Sequence, residues 1–105
     1  MEFKDGPLRA ILSTKGRRTG KEHAVELRAV FYNNKIYFSR RNSDSDWLKN
    51  AIVNPEVNVT VNDVSFLGRA ALVKDEDLVK KISSIKYADK RSEESRIVVE
   101  VTPCG

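Results

Sequence analysis

The chain has one cysteine, one histidine and no apolar run near the roughly 20 residues that a membrane-spanning helix needs. The single cysteine, Cys104, has no partner for an internal disulfide, so we expect a reducing, cytoplasmic setting. With His23 as its one histidine, the chain lacks the ligand set of a zinc site and the spacing of any metal motif. The same shortage argues against a Ser-His-Asp or Cys-His nucleophile. No apolar signal-peptide core follows the charged residues of the N-terminus, so we expect no signal peptide and no membrane partner.

Charged residues are abundant but nearly balanced. The 105 residues include 19 Lys and Arg against 15 Asp and Glu, which leaves a net charge of +4. With 40% hydrophobic residues, a chain of this length is typical of one folded domain, which we take as residues 1–105. The mild positive charge suits an anionic ligand as well as a nucleic acid and does not choose between them.

Apolar alternation predicts a mainly β fold with two short helices. The pattern is clearest at Val57, Val59 and Val61, which alternate with polar residues as in a half-buried strand. Six short strands in so small a chain most economically close into an antiparallel barrel, because closure removes exposed edges. The predicted strands are 9–13, 24–32, 35–40, 57–61, 64–73 and 96–101, and helical spacing begins at Trp47 and Leu78.

Several local signals predict where the chain turns or bends. Asn33-Asn34 and Asn62-Asp63 predict tight turns, since asparagine tolerates positive φ. Gly68 inside a strand pattern predicts a bulge or a barrel bend. The spacing from Ser43 to Asp46 is that of a capping box at the start of the first helix.

The stretch TKGRRTGKEH, residues 14–23, raises the functional question. A nucleotide-hydrolase phosphate loop needs four residues between its glycines, then Lys followed by Ser or Thr at the start of a helix. Here Gly16 and Gly20 enclose three residues, Lys21 precedes Glu22, and a strand follows. We therefore reject that motif.

The same loop is suited to holding an anion in another way. Arg17, Arg18 and Lys21 would clamp a phosphate, and Thr19 with the loop amides would add hydrogen bonds. A solvated turn and a nucleic-acid patch are the alternatives. Sequence-tolerant nucleic-acid binding usually adds aromatic side chains, and alternation splits the aromatic pairs here between two faces. The residues alone leave all three open.

Two segments resemble a known family. LSTKGRRTGK, residues 12–21, resembles the LTTxGRxTG opening of the split β-barrel deazaflavin-dependent reductases. These nitroreductase-like proteins are distant relatives of the pyridoxamine 5'-phosphate oxidase-like FMN-binding proteins. KIYFSRRNSDSDWLKNAIVNPEVNVTV, residues 35–61, is similar to the family's strand ending in Ser-Arg, its following Trp, and its Asn-Pro-x-Val-x-Val segment. The YAD and RIVVEVTP segments, from residue 87 onward, are similar to the family's end.

The resemblance implies a six-stranded antiparallel split β-barrel with two short helices, usually a homodimer. It implies FMN or 8-hydroxy-5-deazaflavin (coenzyme F-420) as cofactor, and hydride transfer from the reduced ring to a small-molecule electron acceptor. Tyr87 matches the first tyrosine of a Tyr-x-Asp-Tyr pair associated with substrate protonation, and Lys90 replaces the second. The implied cofactor contacts are Arg17, Arg18, Thr19, Lys21, Val25, Glu26, Leu27, Ser39, Arg40 and Trp47.

Three functional hypotheses remain at this point. The leading one is the flavin- or deazaflavin-dependent oxidoreductase, and the second is a non-catalytic carrier or sensor of a flavin or another anionic ligand. A nucleic-acid-binding barrel is the least favoured. Glu26 stands where the family has proline, and a carboxylate near the ring would repel an anionic substrate. A chain this small can hardly enclose a tricyclic ring and fill its own core, which is a physical reason to expect a homodimer.

Overall fold

Antiparallel strands dominate the computed structural model, which describes residues 4–16, 18–40, 45–86 and 97–104. The sheet closes into a barrel in the order β1-β2-β3-β6-β5-β4, and every pairing is antiparallel. The predicted mainly β barrel with two helices is therefore confirmed. In chain order the elements are β1 (Gly6–Lys15), β2 (Glu22–Tyr32), β3 (Lys35–Arg40), α1 (Asp46–Val53), β4 (Glu56–Val61), β5 (Val64–Leu72), α2 (Glu76–Lys86) and β6 (Ile97–Pro103).

The barrel interior holds the main hydrophobic core. Alternate residues of each strand point inward, and Leu12, Phe31 and Phe38 are among the largest side chains that are fully buried there. Helix α1 adds Trp47 and Leu48 to the same core. The Trp47 ring meets Phe38 edge-on, with the ring centroids 6.1 Å apart. The aromatic contact holds the start of α1 against the end of β3.

Helix α2 packs on the outside of the barrel, over a smaller core. Its Ile82 is buried against Val30, Tyr37 and Val98, which point outward from β2, β3 and β6. The Tyr37 hydroxyl donates a 2.9 Å hydrogen bond to Glu100. Burial, followed by the neighbouring Glu100 carboxylate, raises the pKa of Tyr37, so the hydroxyl stays protonated and remains a donor.

The β2–β3 hairpin does not stay paired along its whole length. Within the described residues, β2 pairs with β3 from Ala29 to Tyr32. Ser39 and Arg40 continue β3 beyond this hairpin and pair with β6 alone. β2 pairs with β1 from Glu22 to Phe31, so its first part, up to Arg28, has β1 as its strand partner and is not paired with β3. The two strands therefore part beyond the Ala29–Phe38 pair, and this parting is the split of the barrel.

The predicted asparagine turns are confirmed by the backbone. Asn33, Asn34 and Asn62 have φ values of 53°, 63° and 54°, in the left-handed region that asparagine tolerates better than most residues. These turns join β2 to β3 and β4 to β5.

Gly68 lies where β5 passes close to β6. A Cβ built on Gly68 overlaps Cγ1 of Val101 and lies 3.2 Å from the carbonyl oxygen of Thr102. Val101 is buried and β-branched, so it has little freedom to move aside. The glycine therefore permits the close approach that closes this side of the barrel.

We predict that Gly68→Ala lowers the free energy of unfolding by about 1–3 kcal/mol, because the added methyl group overpacks this contact. Urea denaturation measures the change. Ala71→Ser, at an exposed position of the same strand, is the matched control and stays within about 0.5 kcal/mol of the wild type. Equal urea midpoints for the two variants would contradict the prediction.

Candidate functional site

A groove of about 420 Å³ opens where the loop between β1 and β2 faces the start of α1. Its volume lies within the range of small-molecule sites. The ends of three strands, one loop and the first turns of α1 all contribute to its walls. The lining residues are Thr14, Gly16, Arg18, Thr19, His23, Val25, Arg40, Ser45, Asp46, Trp47 and Asn50.

The β1–β2 loop is held closed by its own backbone. The Gly16 amide donates to the Lys21 carbonyl at 2.7 Å, and the Gly20 amide donates to the Gly16 carbonyl at 2.9 Å. Gly20 has a φ of 72°, which favours glycine. Thr19 accepts a 3.3 Å hydrogen bond from the Lys21 amide. These bonds fix the loop so that Arg18 and Thr19 border the groove.

Gly16 lets two side chains approach the loop backbone. A Cβ at this buried position would lie 3.1 Å from both Nε2 of His23 and Oγ1 of Thr19. His23 lies in the groove wall, although the sequence indicated no role for it beyond a polar strand end. The close contact explains why glycine suits the first position of the loop.

The opposite wall is formed by the end of β3 and the start of α1. Nε of Arg40 donates a 2.6 Å hydrogen bond to the hydroxyl of Ser45. Ser45 is the N-cap residue of α1, yet its side chain makes no capping bond to the helix. The hydroxyl that would cap the helix instead holds Arg40 beside the positive end of the helix dipole. The predicted capping box begins at Ser43, which lies outside the described residues.

The charges of the groove favour an anion. Arg18 and Arg40 bring two guanidinium groups to its walls, and Asp46 brings one carboxylate. The start of α1 adds the partial positive charge of a helix N-terminus. Guanidinium groups bind phosphate and carboxylate oxygens in a bidentate manner, so this wall suits a phosphorylated ligand.

Two buried polar atoms in the groove residues have no hydrogen-bond partner. They are Oγ1 of Thr14 and Nε1 of Trp47, each with less than 1 Å² of exposed area. Thr14 as a residue is 1% exposed and Trp47 is 8% exposed. Buried polar groups in folded proteins nearly always have a partner. Two such atoms in one groove fit a site that a polar ligand completes.

The groove brings together half of the cofactor contacts implied by the sequence. These are Arg18, Thr19, Val25, Arg40 and Trp47, which come from the loop, two strands and a helix. Residues 14, 16, 23, 45, 46 and 50 also line it and were not among the predicted contacts. Alternation along β1 was the available signal for the first of these, because residue 14 continues the inward series of residues 10 and 12.

Four other predicted contacts do not line the groove. Lys21 lies exposed in the loop, and Leu27 points into the barrel core. Glu26 lies on the outer face of β2, with Oε1 3.3 Å from Nη1 of Arg9, so its carboxylate is directed away from the ligand space. Ser39 lies on the outer face of β3, toward α2. The cofactor roles of these four residues stay predictions.

Arg17 and Tyr87 lie outside the described residues. Arg17 belongs to the predicted anion-binding loop, and Tyr87 is the predicted catalytic residue. Their roles stay predictions from the sequence.

Lys86, the last residue of α2, bridges the split of the barrel. Its ammonium group donates a 3.0 Å hydrogen bond to the Ser39 hydroxyl on β3. Its carbonyl accepts a 3.3 Å bond from Nη2 of Arg28 on β2. Lys86 and Ser39 are 8% and 6% exposed, so their bond is shielded from water. The end of α2 thus connects the two strands that part beside the groove. Its contact on β3 is Ser39, the residue before Arg40.

The described part of the chain contains no helix that is both long and apolar enough to cross a membrane. The same residues hold no group of three or more His, Cys, Asp or Glu side chains placed to bind a metal ion.

A comparison with protein families identifies the chain. The model of the family described as F420H(2)-dependent quinone reductase matches residues 1–102. The chain belongs to this family. The resemblance drawn from the loop and the Asn-Pro segment is therefore confirmed. No match was found among the curated proteins.

Solved structures share the fold. A protein described as an F420-H2 dependent reductase superposes with a TM-score of 0.71 at 22% identity, covering 89% of this chain and 92% of its own. A Listeria innocua protein described as a pyridoxamine 5'-phosphate oxidase gives 0.77 at 19% identity, with coverages of 92% and 84%. A structure described as a domain-swapped dimer gives 0.70 at 23%, with coverages of 89% and 78%. At these identities the likeness shows the split-barrel fold alone.

We predict that Lys86→Met lowers the free energy of unfolding by about 1–3 kcal/mol, because the buried Ser39 hydroxyl loses its donor. Thermal or urea unfolding followed by circular dichroism measures the change. Lys80→Met, at an exposed position of the same helix, controls for the loss of one positive charge and changes stability by less than about 0.5 kcal/mol. A Lys86→Met protein as stable as the Lys80→Met protein would show that the bond from the Lys86 ammonium group to Ser39 contributes nothing to stability.

Proposed function

We propose that this protein is a deazaflavin-dependent oxidoreductase that binds coenzyme F-420 in the groove between the β1–β2 loop and α1. Membership of the reductase family favours the deazaflavin over FMN. The observation that carries the proposal is the meeting of Arg18, Arg40 and two partnerless buried polar atoms in one groove. A cytoplasmic setting, expected from the single cysteine, is part of the proposal.

The residues of the groove fit the charged part of such a coenzyme. Arg18 and Arg40 would neutralise phosphate oxygens. The amides of Gly16, Gly20 and Lys21 donate within the loop, whereas the Thr19 hydroxyl accepts from Lys21 and keeps its proton for a ligand oxygen. Arg17, the neighbour of Arg18 in the sequence, would add a third guanidinium group to the site. The Arg40 side chain is already oriented by Ser45, so less conformational entropy is lost when it binds an anion.

The apolar lining fits the ring of the coenzyme. Val25 is half-buried on the inward face of β2, and Trp47 presents an aromatic ring from α1. Both also contact the barrel core, so their side chains are rigid. When bound, the reduced deazaflavin supplies a hydride donor, and the chain positions it and excludes water. Because Glu26 faces away and pairs with Arg9, it does not repel an anionic substrate at this wall.

The electron acceptor is proposed from the description of the family. The family is described by quinone reduction, so we propose a quinone-class small molecule as the acceptor. Tyr87 would donate the proton that accompanies hydride transfer, as the sequence resemblance implies. Lys90 at the second tyrosine position leaves one hydroxyl for this task.

We further propose that the protein is a homodimer. Six outward residues of β1, β4 and β5 form a surface without charged side chains, here called the uncharged face. The registers place Ile11 beside Thr60 and Ser65, and Ser13 beside Asn58 and Leu67. Ile11 and Leu67 are 39% and 66% exposed. An exposed face with apolar side chains and no charge suits the centre of an interface. A solved structure described as a domain-swapped dimer shares the fold.

We predict that Arg18→Ala and Arg40→Ala each weaken the binding of coenzyme F-420 by about 10-fold or more, because each removes a charge-assisted hydrogen bond worth about 1.5–3 kcal/mol. Fluorescence titration of the coenzyme measures the dissociation constants. FMN, titrated in parallel, binds more weakly than the deazaflavin.

Arg69→Ala is the control for this prediction, since Arg69 is an exposed arginine on β5 outside the groove. It removes the same charge and leaves the affinity within about twofold, as expected for a screened surface charge. Equal losses of affinity in all three variants would contradict the groove assignment. Oxidation of the reduced coenzyme by an added quinone then separates an enzyme from a carrier.

We predict that Leu67→Glu converts the dimer to a monomer, because the variant buries a charge at the centre of the proposed interface. Size-exclusion chromatography with light scattering measures the mass in the presence of the coenzyme. Val53→Glu changes an equally apolar side chain, 57% exposed on α1, and leaves the dimer intact. A monomeric wild-type protein would contradict the dimer proposal, and a dimeric Leu67→Glu protein would contradict its location.

A further inference from the structure

We propose that Thr14 and Trp47 recognise the coenzyme by donating hydrogen bonds to its acceptor oxygens. This inference rests on the proposed function, because it concerns how the groove distinguishes the ligand that it holds. Thr14 is not among the residues that the family resemblance assigns to the cofactor. The structure assigns it through the chemistry of its side chain and its place in the groove.

The two side chains are exceptional in the part of the chain that the structure describes. There, three buried side-chain atoms have no hydrogen-bond partner, namely Oγ1 of Thr14, Nε1 of Trp47 and Oγ of Ser83. The first two belong to residues that line the groove, and Ser83 lies on α2 outside it. An unpaired buried polar group destabilises the folded state. Two of them in one groove indicate that a ligand supplies the hydrogen-bond partners that the ligand-free protein lacks.

Packing alone does not require either polar group. Thr14 follows Ala10 and Leu12 on the inward face of β1, where valine would have nearly the same shape. Trp47 contacts Phe38 through its ring, a contact that a phenylalanine would keep in large part. A hydroxyl and an indole N–H at these positions therefore contribute hydrogen-bonding capacity and cost stability when the groove is empty.

The chemistry of the two groups defines what they bind. The indole N–H of Trp47 can only donate, and the hydroxyl of Thr14 can donate or accept. A ligand that satisfies both at once presents acceptor oxygens, such as ring carbonyl or phosphoryl oxygens. The two guanidinium groups of the groove walls select the same class of atom. The site is thus built from donors that converge on an oxygen-rich ligand.

Ligand binding requires a small rearrangement at the groove floor. Both atoms have less than 1 Å² of exposed area, so a water-sized probe does not reach them in this conformation. His23 pairs with Thr14 across β1 and β2, lines the same groove and is exposed. A change of rotamer among the side chains that line the groove would expose both atoms to the ligand without moving the strands.

The decisive test is Thr14→Val, which removes the hydroxyl and keeps the branched shape. We expect coenzyme F-420 to bind about 10-fold more weakly to this variant, which corresponds to about 1.4 kcal/mol. We also expect the ligand-free variant to melt at the same temperature as the wild type or about 4 °C higher, because an unpaired buried group has been removed. Opposite effects on affinity and stability separate ligand recognition from a structural role.

Three further variants complete the design. Thr14→Ser retains the hydroxyl and binds the coenzyme within about threefold of the wild type, a difference of less than 1 kcal/mol. Ser83→Ala removes the other unpaired buried hydroxyl, which lies outside the groove, and leaves the affinity unchanged, which makes it the matched control. Trp47→Phe removes the indole N–H and weakens binding as Thr14→Val does. Titration with the phosphate-free deazaflavin chromophore shows whether the acceptor oxygens belong to the ring or to the phosphate.

The outcomes distinguish this inference from the proposed function. If the wild type binds the coenzyme and the Arg18 and Arg40 variants lose affinity, but Thr14→Val binds as the wild type does, this inference alone is overturned. A Thr14→Val protein that loses both stability and affinity, with no recovery in Thr14→Ser, also overturns it. A wild-type protein that binds neither coenzyme F-420 nor FMN overturns both proposals.

Discussion

The parting of β2 from β3 is the constraint on which the rest of the structure depends. β2 pairs with β1 along ten consecutive residue pairs, while β3 leaves β2 after the Ala29–Phe38 pair to join β6. This separation leaves an opening between β2 and β3 on the side of the groove. Lys86 holds it, because its ammonium group and its carbonyl bind opposite sides of the split. Arg40, next to the anchored Ser39, is thereby held at the groove wall.

Three residues of the groove make less stabilising contacts in the protein alone than their side chains allow. Ser45 begins α1 as its N-cap but binds Arg40 instead of the helix amides, so the helix loses a capping bond. Thr14 and Trp47 carry buried polar atoms that lack partners. Each feature is unfavourable for the empty protein, and the proposed anionic, oxygen-rich ligand would supply the missing partners of Thr14 and Trp47. Conflicts of this kind concentrate at functional sites, where local rules of stability are set aside.

Sequence patterns predicted the strands well, because alternation of apolar residues depends on local chemistry. The inward series of β4 and the asparagine turns follow from side-chain size and backbone freedom at single positions. At Gly68 the sequence predicted a bulge or a barrel bend, whereas the structure has continuous pairing there and a close approach of β5 to β6. The basic loop and the Asn-Pro segment indicated the family, and the match of the family model confirms it. Two sequence arguments disagree at Glu26. The family resemblance placed it among the cofactor contacts, whereas alternation along β2 places it on the outer face, where it pairs with Arg9.

The sequence by itself determined the six strands, the two helices and the family, since each is encoded in short-range periodicity or in contiguous motifs. The antiparallel barrel followed from a further argument, that closure removes the exposed edges of six short strands. Tertiary structure alone decided which residues share the groove. The groove is lined by residues that lie apart in the chain, among them Thr14, Arg40 and Asn50. Strand register and the packing of α1 bring them together, and the same register places His23 beside Thr14. The Lys86 bridge was likewise invisible, because no local pattern marks a lysine whose partners lie 47 and 58 residues away. Both the groove and the bridge depend on pairing between residues far apart in the chain, and the periodicity of a strand does not specify such pairing.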